Sequence, residues 1–170
     1  TTLNFAGVHT FNAGTTFTGA GGVILTGTTT DNAGVTVPNP TTLNGNLTGP
    51  GSSNFTGSFT WTLNGVSPTI MNGAGTTNVL GSTATFGGTA QKQLSGGARQ
   101  LVLGNGSAGD GSVSADWTGG SFRVDVGSAL IIRSDATLTN THDGSFTSSG
   151  TFTNQGTFTK SIGTGTTTFS

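Results

Sequence analysis

The side chains able to do acid–base, ionic or metal chemistry in this 170-residue chain are few: six carboxylates, five Lys or Arg and two His, with no Cys. The carboxylates are all Asp, at Asp31, Asp110, Asp116, Asp125, Asp135 and Asp143. Cleaving a glycosidic bond needs two carboxylates, or a carboxylate with a base, facing each other across a sugar. Asp110, Asp116, Asp125 and Asp135 fall at intervals that could bring them together on consecutive turns of a repeating fold, with Arg123 and Arg133 beside the last two. Asp110, Asp116, Arg123 and Asp125 are therefore the candidate carbohydrate or cation face. The plainer reading is a set of solvated charges and exposed ion pairs, which contribute little to stability, and it is the one preferred.

Other chemistry finds less support. Gly104 to Ser112 has the Gly and Asp of a calcium loop at Asp110, but only once and without the regular Gly spacing that such repeats need. His9 and His142 are far apart and neither has a second ligand at metal spacing. No Gly-x-Ser-x-Gly elbow marks a nucleophilic serine. Trp61 and Trp117 could stack on a sugar ring, yet each sits in an alternating stretch that reads as core. Sequons at Asn46, Asn54 and Asn105 could accept glycans. The expectation is a protein without catalysis, metal or cofactor.

Only 6% of the residues are charged and the formal net charge is −1. Five cations make no electrostatic track for nucleic acid, and no apolar run approaches the roughly 20 residues that a membrane helix requires. The sequence starts at Thr1 without a charged and apolar leader, so any export signal is expected to lie outside it. Absent cysteine suits a bacterial exported chain. Disordered chains combine high net charge with few aromatics, whereas eleven Phe are spread through this one.

The elements that would carry these residues are strands. Thr is the polar residue that a pleated surface accepts best, and no window keeps helical apolar spacing free of Gly, Pro or β-branched interruption. Strands are predicted at Val23 to Thr26, Ser58 to Leu63, Ser121 to Val126, Ala129 to Ile132, Ala136 to Thr139 and Thr157 to Lys160. Phe59, Trp61 and Leu63 point one way and Ser58, Thr60 and Thr62 the other. Phe122, Val124 and Val126 repeat this pattern, with Arg123 and Asp125 on the wet side. An antiparallel sandwich or jelly roll is one way to assemble such strands, and Asn-Gly at Asn44, Asn64, Asn72 and Asn105 is a hairpin signal. The favoured way is a right-handed parallel β-helix, because related segments recur: GTTFTGAGG at Gly14 to Gly22, LNGNLTGPGS at Leu43 to Ser52, MNGAGTTNVLG at Met71 to Gly81 and SIGTGTTTF at Ser161 to Phe169. At roughly 20 to 24 residues per coil, residues 1–170 form a single solenoid domain of about seven to eight coils, some 35 Å long.

These segments, with LNFAGVHTFNAGTTFTGAGG at Leu3 to Gly22, KQLSGGARQL at Lys92 to Leu101 and GTFTKSIGTGTTT at Gly156 to Thr168, resemble the tandem Thr/Gly-rich repeats of giant bacterial secreted and surface proteins. Those are adhesin-like and autotransporter-passenger-like β-helix proteins. The resemblance implies an extracellular or cell-surface setting and brings no functional residues with it. Strand-like sequence at both ends, TTLNF and TTTFS, adds the expectation of a rod segment or filament subunit that stacks end to end on itself or on neighbouring repeats, with surface glycans as further partners. Thr-x-Thr pairs starting at Thr16, Thr60, Thr83, Thr137, Thr151 and Thr157 would resemble the ice-binding face of solenoid antifreeze proteins if they stacked. Their spacing along the chain is irregular, which ranks ice binding behind a structural role and carbohydrate binding.

Overall fold

The computed structural model describes residues 1–107 and 112–170. The candidate Asp110, and with it the calcium reading of its loop, lies outside the described residues. The chain is an all-β parallel solenoid, without helix among the described residues, wound as three sheets that each take strands in sequence order. The first sheet begins Thr2–Phe5, Gly22–Leu25, Thr41–Leu43 and Phe59–Thr62, then continues through Thr83–Gly87, Val113–Trp117, Ala136–Asn140 and Thr157–Lys160. The second runs from Val8–Phe11 to Thr168–Phe169, also in eight strands, and the third from Val35–Val37 to Thr151–Asn154 in six. Eight coils result, at the upper end of the expected count.

All strand pairings among the described residues are parallel, for example Leu101 with Leu130 and Ala115 with Leu138. This excludes the antiparallel sandwich. The Asn-Gly pairs close no hairpins; Asn44-Gly45 turns the chain from the first sheet to the second, and Asn72-Gly73 from the second to the third. A tight corner needs the same permissive residues as a hairpin, so the dipeptide alone could not separate them. Gly73, for instance, has φ +86°.

Each of the six strands read from the sequence is present, with ends shifted by two residues or fewer. Alternation determines which side faces in. In the first sheet Leu25, Leu43, Trp61, Phe86 and Trp117 lie one above another in register, all buried. Rings interlock edge-on between sheets, with Trp117 and Phe86 at 5.1 and 5.4 Å from Phe122, a geometry that adds to the area term. Val126 departs from the pattern. The strand ends at Val124, Ser128 N–H closes a turn on Asp125 O at 3.0 Å, and Val126 is left 71% exposed at the corner.

Successive coils use different numbers of residues. Thr30 and Thr48, hydrogen-bonded neighbours in the second sheet, are 18 positions apart, whereas the corner residues Gln91 and Ser121 are 30 apart. The surplus is taken up at corners, so the strands keep their register while the sequence period drifts.

Two buried cations occupy two different corners of the coil. Lys92 has no exposed surface, and its ammonium donates to the carbonyls of Gly87, Ala90 (3.1 Å) and Gly119 (2.8 Å). Burial pushes its pKa down to about 8. Arg99, also fully buried, donates from Nη2 to Thr77 Oγ1 and from Nη1 to Gly49 O at 3.4 Å, reaching back across two coils. Its charge faces the field of buried Asp31.

Candidate functional site

The proposed charged face is divided by the fold. Asp116 stands in the first sheet, between Thr85 and Thr139 of the adjoining coils, while Arg123 follows one corner later in the second. The ten residues from Asp116 to Asp125 carry the chain round a corner. Arg123 and Asp125 do come together, with Arg123 Nε 2.6 Å from Asp125 Oδ1, and Gln93 from the preceding coil donates to Asp125 Oδ2 at 2.8 Å. Desolvation opposes ionisation of Asp125, but the bonds from Gln93 and Arg123 and the Arg123 charge outweigh it and hold the carboxyl below its ordinary range. Beside this row a shallow groove of about 350 Å³ is lined by Gln91, Arg123, Thr147 and Ser149 among others.

Asp135 serves the third-to-first corner instead. Its carboxylate accepts the N–H groups of Asn105 (3.0 Å) and Gly106 (2.9 Å). Desolvation again works against the charge; these backbone donors and Arg133 overcome it, and the carboxyl titrates below its usual range. A carboxyl whose folded pKa is depressed contributes stability above the unfolded pKa of about 4, and that contribution is lost as the pH falls through the folded value. Urea unfolding of Asp135→Asn should accordingly show a lower midpoint than the parent at pH 7, with the two converging at about pH 2.

His142, Asp143 and Lys160 secure the corner between the first and second sheets. His142 places Nε2 at 2.9 Å from Gly120 O and packs edge-on to Trp117 at 4.9 Å. Lys160 donates to His142 O and Asp143 Oδ1, both at 2.8 Å. Among the described residues no three His or carboxylate groups gather where a metal could bind. Trp61 and Trp117 are wholly enclosed, so neither offers a ring to a sugar.

The most regular surface is one that spacing along the chain had hidden. Over the last five coils the outer side of the first sheet carries three columns of residues, one column per outward position. The central column is Thr60, Thr85, Asp116, Thr139 and Thr159. One flank is Ser58, Thr83, Ser114, Thr137 and Thr157; the other is Thr62, Gly87, Thr118, Thr141 and Ser161. Four of the six Thr-x-Thr pairs therefore lie on this net, those starting at Thr83, Thr137 and Thr157 over the same two columns and the one starting at Thr60 shifted by one column. Thr16 lies outside the strands, and Thr151 belongs to the third sheet. Ser114 and Thr118 belong to no Thr-x-Thr pair, and Thr141 belongs only to the overlapping Thr139-Asn140-Thr141; their signal was the alternation with buried Ala115, Trp117 and Asn140.

Fold and surface together define a class, a parallel β-solenoid with one flat hydroxyl-bearing side and a hydrogen-bonded charged row on the next. No family model matches the chain, and neither does any curated protein or solved structure.

Proposed function

We propose that this chain is a structural segment of an extracellular fibre or bacterial surface adhesin, a stiff rod lengthened by coil-upon-coil stacking and without catalysis. The observation that carries the reading is the uninterrupted parallel ladder of eight coils around a single column of buried aromatic and aliphatic side chains. In such a stack each coil is held by its neighbours, so length can grow without any change in the cross-section. The resemblance to Thr/Gly-rich surface repeats points the same way. Edge residues Leu3 and Phe169, 51% and 47% exposed, offer apolar surface to a further coil at either end of the stack, from this polypeptide or from another copy.

Sedimentation and negative-stain electron microscopy over a concentration series test the self-association. Rods one solenoid wide that lengthen with concentration are expected, and Leu3→Lys with Phe169→Lys should abolish them. Monodisperse particles at all concentrations would contradict end-to-end assembly.

A second reading, carbohydrate binding on the second sheet, is favoured by the fixed Gln93, Asp125 and Arg123 row beside its groove. Glycan-array binding lost in Asp125→Asn would support it over the purely structural role.

A further inference from the structure

We propose that the outer face of the first sheet, over its last five coils, binds the surface of ice. The inference rests on the fold and on this face, independently of the fibre role.

A ligand for this face has to be recognised without a cavity, without an aromatic platform and almost without charge. What the face offers is repetition in two directions. Adjacent coils are about 4.8 Å apart and alternate residues along a strand about 6.7 Å apart, so the hydroxyls of Thr60, Thr85, Thr139 and Thr159 and of their flanking columns mark out a rectangular net. Only a partner that is itself periodic in two directions can match such a net over its whole area.

Crystalline water comes close to these dimensions, with a misfit of about 0.6 Å per step along the strands. Four tetrahedral O–H···O bonds of about 2.75 Å around each oxygen place second neighbours about 4.5 Å apart and give an axial repeat of about 7.3 Å. The misfit between coils is about 0.3 Å, so four steps accumulate about 1.2 Å, well below one spacing. Thr is suited to this role because its branched Cβ restricts χ1 and so limits the rotamer entropy lost when the hydroxyl is fixed. Its methyl sets apolar surface beside each hydroxyl. Among the described residues, the hydroxyls of Thr60, Thr85, Thr139 and Thr159 form no hydrogen bond within the protein and remain free for water. Thr141 is engaged, donating to Trp117 O at 3.3 Å.

The other two faces lack these properties. On the second, Arg123, Asp125 and Gln93 bond to one another. On the third, Asn78 Nδ2 donates to Asn54 Oδ1 at 2.8 Å, and the outward column continues into Val102 and Ile131. Two residues interrupt the hydroxyl net: Gly87, which has no side chain, in one flank, and Asp116, exposed in the central column, whose carboxylate keeps a tightly held hydration shell.

The test is ice growth in the presence of the purified full chain, read as thermal hysteresis, crystal shape and inhibition of recrystallisation. Faceted crystals and a measurable hysteresis are expected. Both should be lost in Thr85→Tyr and in Thr139→Tyr, kept in Thr147→Tyr on the second sheet, and strengthened in Asp116→Thr, with circular dichroism showing each variant folded. Ice growth unaltered by both the parent and Asp116→Thr would overturn the proposal, as would activity that survives Thr85→Tyr and Thr139→Tyr. Retention on microcrystalline cellulose or chitin that depends on this face, without any effect on ice, would reassign it to a polysaccharide surface.

Discussion

Replacing Arg99 with alanine is expected to destabilise the protein by about 3–5 kcal/mol. The guanidinium is fully buried at the second-to-third corner, where it bonds to Thr77 Oγ1 and Gly49 O. Burial lowers its pKa to about 10 while Asp31 acts in the opposite sense, so the group remains a cation at neutral pH. Asp31, equally buried, accepts from Ser53 Oγ at 2.7 Å and Gly34 N at 2.8 Å. Truncating Arg99 leaves that carboxylate without a balancing charge and opens a cavity across several coils. Removing both charges with Asp31→Asn and Arg99→Met should be much less damaging, because the cost of an isolated buried ion disappears. Urea midpoints at constant m-value measure both variants; a loss below about 1 kcal/mol in Arg99→Ala would mean that the corner is hydrated.

Gly45→Ala should cost about 3 kcal/mol, through backbone and not through lost contacts. The first three coils pass from the first sheet to the second through a stacked column of Gly7, Gly27 and Gly45. A Cβ on Gly45 would strike the carbonyl oxygen of Gly27, and one on Gly27 that of Gly7. No rotamer change relieves a clash with backbone, so neighbouring coils must separate. Gly22→Ala is the matched control. Its Cβ would lie at an ordinary 3.5 Å from Pro40 O, and this first strand position has no positive φ that would require glycine. A fall in thermal midpoint confined to Gly45→Ala is expected, and equal effects at both positions would contradict the packing of this corner.

The strands were legible because their signal is local. Thr outside and Phe, Trp or Leu inside is a period-two pattern that survives any change in corner length. The phase of the coils was not legible. Leu43-Asn44-Gly45-Asn46 and Met71-Asn72-Gly73-Ala74 look like copies of one segment, yet they occupy different corners. Nearly every corner uses Gly or Asn, so similar corner sequences say nothing about which corner is meant. The same loss of phase put Asp116 and Asp125 on a common face when a corner separates them. It also concealed the hydroxyl net, since the residue counts between successive Thr-x-Thr pairs include corners of unequal length. Interior ions were beyond reach for a different reason. Asp31 and Arg99 act on each other's charge only because coils stack in space, and nothing near either residue in the chain marks the other.

Each coil advances the rod by one strand spacing however many residues it contains, and both the fibre role and the hydroxyl net depend on that. The chain has no Cys, so paired spin labels can be attached at introduced cysteines without background. Asn4, Thr85 and Thr159 belong to one outward column, in the first, fifth and eighth coils. Pulsed electron–electron resonance should give narrow backbone separations of about 19 Å for Asn4 with Thr85 and about 34 Å for Asn4 with Thr159. A separation for Asn4 with Thr159 no greater than that for Asn4 with Thr85 would contradict the stacked coils.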